Sequence, residues 1–322
     1  MNEATLRFTM ARSDETKNYT AARVTRRVPE ALAGLRLDRA LAQMFPEHSR
    51  NRLQKWLRDG HVSLDAHSAK PKQKIWGGER VEIRAQPDPS SSPHDPERIA
   101  LDIVYEDDEV LVINKPAGLV VHPGSGNWKG TLLNALLHHS PPLAAIPRAG
   151  IVHRLDKDTS GLLVVAKTLR AQTELVRQLQ ARTVKREYLA LVHGAVRGAG
   201  EVSAPVGRDR RNRTRMAVVA AGRPALTRYK VAKRFANVSL LECTLDTGRT
   251  HQIRVHMQSL GHPLVGDPVY RGGRRSELEH ARLKRQALHA ARLEFSHPVS
   301  GARRRFAAPL PEDFRALLNS LQ

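Results

Sequence analysis

Residues 150–167 read GIVHRLDKDTSGLLVVAK. A short apolar entry leads into a dense polar loop holding His153, Arg154, Asp156, Lys157, Asp158, Thr159 and Ser160, and an unbroken apolar run follows. That run is short and rich in Val and Leu, which marks a buried strand rather than a helix. The same texture recurs on either side: VLVIN at 110–114, EYLALVHG at 187–194 and VSLLECTL at 238–245, separated by turns containing Gly and Pro. Apolar residues at three- and four-residue spacing predict helices over TLLNALLHH (131–139) and AQTELVRQLQAR (171–182). No βαβ rhythm repeats, so the expected class is α+β, built on a mixed, mainly antiparallel sheet.

Upstream the texture changes. Leu37, Ala40, Leu41 and Met44 fall on one helical face closed by Pro46. Ser49 stands at an N-cap position for a second helix with Leu53, Trp56 and Leu57 as its apolar stripe. The other face of that helix carries Arg50, Arg52, Lys55 and Arg58, and short strands are expected around 61–64 and 81–83. A basic helix pair with a hairpin is a candidate RNA clamp, the competing reading being an ordinary solvated face. Residues 86–97, QPDPSSSPHDPE, have linker composition. The expected organisation is a basic flexible arm over 1–28, a small α+β RNA-binding domain over 29–86, a linker over 87–97 and a catalytic domain over 98–322.

The charge balance names the partner class. Fifty-three Lys and Arg against 32 Asp and Glu give +21, spread along 322 residues, so the expected partner is a polyanion. No stretch approaches the roughly 18–20 consecutive apolar residues of a spanning helix, and the polar start lacks the apolar run of a secretory signal, so nucleic acid is favoured over a membrane and the cytoplasm is the expected location. A monomer is the default oligomeric state. The single cysteine, Cys243, lies inside an apolar run and reads as a small buried hydrophobe.

Several segments carry potential chemistry. Asp156, close to Arg154 and Lys157, suits a nucleophile or general base, although a salt-bridged turn has the same composition. Tyr188 opens a strand after Arg182, Lys185 and Arg186, where it is either core packing or a stacking platform for a base. LDTGRTHQIRVHMQSLGHPLVGDPVY (245–270) holds His251 and His256 without a carboxylate or cysteine in a ligand pattern, so no metal is expected. The glycines at 124, 126 and 130 satisfy neither dinucleotide nor P-loop spacing, and no cofactor is expected. RDRRNRTR (208–215) places Arg208, Arg210, Arg211, Arg213 and Arg215 in eight residues, a phosphate-contact loop or a plain surface loop.

HRLDKDTSG followed by a hydrophobic strand resembles the signature of the pseudouridine synthase family that modifies ribosomal large-subunit and some transfer RNAs. EDDEVLVINKPAGLVVHPGSGNWKGTLLNALL, VKREYLALVHG and the HQIR segment fit the same family, and residues 49–83 resemble the small RNA-binding domain named after the fourth protein of the small ribosomal subunit. The resemblance implies a pseudouridine synthase fold with Asp156 as the catalytic carboxylate, Arg254 as its partner, Tyr188 against the base and Arg154 bracing the vacated stack. It implies isomerisation of uridine in large-subunit ribosomal RNA, or its precursor particle, with a transfer RNA as the alternative substrate. A catalytically silent RNA-binding assembly protein is the reading from outside enzymology, and it gives no reason to keep Asp156, Tyr188 and Arg254 together.

Overall fold

The computed structural model describes residues 23–46, 48, 50–84, 94–124, 126–271 and 283–321, with the backbone alone at 50–52. The chain divides into two compact units, Met1–Ser92 and Pro93–Gln322.

In the first unit, β1 (Arg23–Arg27), α1 (Leu37–Met44), α2 (Arg50–Arg58), β2 (Val62–Leu64), β3 (His67–Ser68) and β4 (Arg80–Arg84) form two helices and an antiparallel sheet of order β1-β4-β2-β3. Leu37, Ala40, Leu41, Met44, Leu53, Trp56 and Leu57 lie in its core, as the helical spacing predicts, and Phe45, Val81 and Ile83 join them. The arm expected over 1–28 is corrected at its C-terminal end: β1 pairs with β4 from Arg23↔Arg84 to Arg27↔Arg80, and Val28 is buried. RVTRR offers one apolar side chain among cations, so its strand character comes from edge pairing rather than from its own pattern. Residues 1–22 and the N-cap position Ser49 lie outside the described residues.

The second unit is built on one large sheet. Its strands are β5 (Ile103–Glu106), β6 (Val110–Lys115), β7 (Ser160–Ala166), β8 (Lys185–His193), β9 (Gly200–Ser203), β12 (Leu226–Arg234), β13 (Val238–Leu245), β14 (Leu288–Ser296) and β15 (Arg303–Ala307), while β10 (Val206–Arg208) and β11 (Met216–Val218) make a separate hairpin. The order is β5-β6-β7-β14-β8-β13-β12-β9, with β15 on β14. All pairings are antiparallel except β7 with β14. Helices α3 (Leu132–His139), α4 (Leu169–Gln180), α5 (Gln252–Ser259) and α6 (Glu312–Asn319) cover it.

Covered on both faces, β6 and β7 read as continuous apolar runs. Leu111, Ile113, Leu163 and Val165 pack with α3 on one side, and Val110, Val112, Leu162 and Val164 pack with α4 on the other. Cys243 is wholly buried, and burial pushes its thiol up to about 12. The parallel contact brings β7 so close to β14 that a Cβ on Gly161 would lie 2.3 Å from the Ala290 carbonyl oxygen, and Gly161 also holds φ +113°. The glycine of the DTSG run is therefore a close-approach residue.

The expected linker is corrected at its end as well. The Asn134 amide donates to the Asp95 carbonyl at 2.8 Å, and the Glu97 N–H donates to the Asn134 carbonyl at 3.0 Å, so residues 95–97 are tied to α3. Residues 85–93 lie outside the described residues. On the solvent face of the sheet, Arg292 pairs with Glu187 at 2.5 Å and with Glu242 at 2.7 Å, and Lys230 also reaches Glu242 at 3.1 Å. Among the described residues no helix is long and apolar enough to cross a membrane.

Candidate active site

The loop 151–159 enters β7 across the mouth of a cleft of about 920 Å³ lined by Arg154, Asp156, Tyr188, His251 and Arg254, among others. What fixes the loop is a set of bonds to its own backbone. Lys115, the last residue of β6 and 1% exposed, donates from Nζ to the carbonyls of Pro116, Leu119 and Lys157 at 2.7, 3.0 and 2.9 Å. Arg285 donates to the Asp158 carbonyl at 3.1 Å while gripping Asp313 through two bonds of 2.7 and 2.8 Å. Gln286 donates to the Thr159 hydroxyl at 3.1 Å, and Ser160 Oγ lies 3.0 Å from His289 Nδ1. Burial pushes the Lys115 ammonium down to about 7, the Asp158 and Asp156 charges opposing.

Asp156 is thereby presented at the cleft, its side chain 17% exposed. Arg254, from the first turn of α5, donates from Nη1 to Asp156 Oδ2 at 3.0 Å. Its other edge is held by Asp267, through Nε at 2.7 Å and Nη2 at 2.9 Å, and Asp267 in turn accepts the N–H groups of Val269 and Tyr270 at 2.8 and 3.0 Å. Burial acts to lower the Arg254 pKa, but Asp267 and then Asp156 overcome it and raise it above the ordinary value. Burial likewise acts to raise Asp267, and the Arg254 bonds outweigh that and hold its carboxyl below the usual value. A cation clamped in a fork–fork pair and aimed at a second carboxylate is a rigid device for orienting it.

His251 stands on the other side of Asp156. It is the residue before α5, held at φ +57°, and its Nε2 lies 3.9 Å from Asp156 Oδ1. The Tyr270 hydroxyl accepts the Met216 N–H at 2.9 Å and lies 2.8 Å from His251 Nδ1. Burial lowers the His251 pKa and keeps the ring neutral, Asp156 opposing. His256 points elsewhere, its two nitrogens lying 2.9 Å from Thr227 Oγ1 and 2.9 Å from the Ala204 carbonyl.

Tyr188, on β8, is 6% exposed and lines the cleft. Burial raises its phenol pKa; Arg186 opposes and the Asp156 charge adds. Arg154 lines the cleft from an exposed position. Asp156, Tyr188, Arg254 and Arg154 thus meet at one cleft.

The arginine run does not join them. Arg208, Arg210, Arg211 and Arg213 are exposed at the β10–β11 hairpin, and only Arg215 turns inward, its guanidinium 5.2 Å from the Tyr270 ring centre. In the first unit Lys55 and Arg58 are exposed, while the side chains of Arg50 and Arg52 lie outside what is described. Sequence reasoning missed the grip of Asp267 on Arg254, the part played by Tyr270, and the buried place of Arg186. The HPLVGDPVY stretch contained the first two, but nothing in its spacing says that a turn brings Asp267 back onto α5.

Residues 109–259 match the family model for RNA pseudouridylate synthase, and residues 35–81 match that for the S4 domain. The chain is 57% identical over 300 residues to a Nitrosomonas europaea protein named ribosomal large subunit pseudouridine synthase D, covering 92% of this chain and 87% of that protein. It is 51% identical over 304 residues to the protein of that name from Pseudomonas aeruginosa, covering 92% and 94%. Among solved structures, human RNA pseudouridylate synthase domain containing 1 superposes with a TM-score of 0.54 at 30% identity, over 67% of this chain and 85% of that one. With the α+β fold and this extent of identity, the chain belongs to the RNA pseudouridylate synthase family, with an S4 domain in its first unit.

Proposed function

We propose that this protein converts uridine to pseudouridine in large-subunit (23S) ribosomal RNA, with Asp156 as the reacting carboxylate. The observation that carries the assignment of Asp156 is its bond to Arg254, a cation fixed from behind by Asp267 inside a cleft that also holds Tyr188. The names of the relatives carry the substrate class.

The reaction breaks the bond from uracil N1 to the sugar and joins C5 to the same sugar carbon, the C5 proton being lost and N1 gaining one, so it is balanced without a redox agent. A carboxylate serves either as the nucleophile at the sugar carbon or as the base that removes a sugar proton, and Arg254 holds it oriented for both. A stacked uridine is out of reach, so the base is extruded at a cost of roughly a few kcal/mol, which contacts in the cleft offset. In this reading Tyr188 packs against the extruded base and Arg154, at the exposed edge, braces the stack it left. Lys55 and Arg58, with Arg50 and Arg52 on the same helix, and the exposed hairpin arginines 208, 210, 211 and 213 contact phosphates elsewhere on the RNA.

The test is incubation of the purified protein with unmodified 23S transcript, assembled subunits and transfer RNA, followed by mapping of pseudouridine. Defined new sites in ribosomal RNA, absent with Asp156→Asn while RNA affinity stays within a few fold, are expected. Full activity of Asp156→Asn removes the site assignment, and modification of transfer RNA alone removes the substrate.

A further inference from the structure

Arg186 is the one buried charge of the cleft that the foregoing account leaves without a task. It lies on β8, two residues before Tyr188 and on the same face, and is 8% exposed. Among the described residues its side chain makes no hydrogen bond or ion pair, and its Nε is buried without a partner. Buried arginines elsewhere in this unit are matched by carboxylates, Arg254 by Asp267 and Arg285 by Asp313. A buried cation without a counter-ion is unfavourable in a finished core and is sensible where a ligand supplies the charge.

The surroundings make room for this group, and the acids of the cleft are taken up by other arginines. A Cβ on Gly248 would come within 2.9 Å of Arg186 Nη1, and Gly248 has no left-handed φ to account for its being glycine. Other guanidinium groups line the same cleft, including Arg182, Arg223 and Arg249. Burial and then repulsion from Arg223 and Arg182 lower the Arg249 pKa. The nearby His153 adds no charge: burial, with Arg186 helping, pushes it down to about 3, and its Nε2 accepts the Val164 N–H at 3.2 Å. Of the two aspartates lining the cleft, Asp156 is bound by Arg254 and Asp246 by Arg228.

We propose that Arg186 is the phosphate anchor of this cleft: its guanidinium, in the space left by Gly248, binds a phosphodiester of the strand whose uridine enters the Asp156 site. This rests on the proposed RNA substrate and deepens it. Uracil carbonyls are neutral and leave the cation uncompensated, whereas a phosphate neutralises it and fits the planar donor fork. The anchor sets where the backbone stops and so how far the base reaches towards Tyr188 and Asp156.

The experiment compares full-length wild type with Arg186→Met, Arg186→Lys and Gly248→Ala by thermal melting with and without inorganic phosphate, and by single-turnover kinetics on 23S transcript. Losing a charge-assisted bond predicts that Arg186→Met raises KM about ten- to hundredfold, the larger part of the loss falling on KM rather than on the saturating rate. It melts no lower than wild type, because an uncompensated buried charge has gone, and phosphate no longer raises its melting temperature. Lysine recovers part of the affinity, and Gly248→Ala, which displaces the guanidinium, shares the KM defect. A lowered melting temperature with unchanged KM makes Arg186 a structural residue and overturns the proposal. Should Arg186→Met not fold, Gly248→Ala decides on KM alone. If wild type modifies neither the transcript nor assembled subunits, the substrate reading fails, and phosphate protection that is lost in Arg186→Met still upholds the anchor, while its absence from wild type overturns it.

Discussion

Replacing Asp267 with Asn isolates the clamp behind the reacting carboxylate. The side chain is wholly buried and takes four donors, two from Arg254 and the N–H groups of Val269 and Tyr270. Asn keeps one oxygen, which replaces Oδ1 and its three donors. Its NH₂ then meets the Arg254 Nε–H, donor against donor, and the negative charge that balances a buried cation is lost. Breaking one side of a buried ion pair costs about 3–5 kcal/mol. At roughly 2–4 °C per kcal/mol for a unit of this size, the lower figure corresponds to a melting temperature lowered by about 6–12 °C. Arg254 keeps its Nη2 bond to residue 267 and its bond to Asp156 but loses the second arm of the fork that fixes its angle, and a misplacement of about 1 Å at a reacting group costs about a hundredfold in rate. Differential scanning calorimetry and single-turnover release of the C5 hydrogen from labelled RNA measure the two effects. Melting within about 1 °C of wild type, with turnover within about twofold, refutes the clamp.

Other expectations follow from the same geometry. Gly161→Ala, whose Cβ would meet the Ala290 carbonyl at 2.3 Å at φ +113°, should lose more than about 3 kcal/mol in urea unfolding. Because the folded pKa of Asp267 lies below its ordinary 3.8, its contribution is present above that pH and lost as pH falls through the depressed value. Unfolding of wild type should therefore steepen below about pH 4, and Asp267→Asn should lack that part of the acid limb. Deleting residues 1–92 should leave the melting of the second unit in place, since each unit has its own core, while weakening RNA affinity and flattening its dependence on salt. Unfolding of the truncated chain refutes the independence of the two units.

Most of the fold was legible because the buried strands are short, strongly apolar and punctuated, and because α1, α3 and α4 show the spacing of one covered face. β1 was not, since Arg-Val-Thr-Arg-Arg has no pattern of its own and is a strand only because β4 offers it an edge. The loop around Asp156 announced itself by its density of polar groups, and the resemblance supplied the pairing with Arg254. The supports stayed hidden for a physical reason: Asp267, Arg285 and Lys115 act through contacts 13, 127 and 42 residues away in the chain. Spacing within a segment carries no information about such contacts. Arg186 looked like one more cation in a basic stretch, because burial is a property of the sheet and not of its neighbours in sequence.

The carboxylates on the solvent face of the sheet give the second unit a direction. There Arg292 and Lys230 are already answered by Glu187 and Glu242, so an approaching phosphate finds little net attraction and must displace an acid to bind. Strand alternation sends Arg186 and Tyr188 to the opposite side, where the Arg186 guanidinium is not so answered. A uniformly basic particle would hold RNA in any orientation. One that leaves a guanidinium unanswered inside the cleft favours encounters in which the cleft faces the strand.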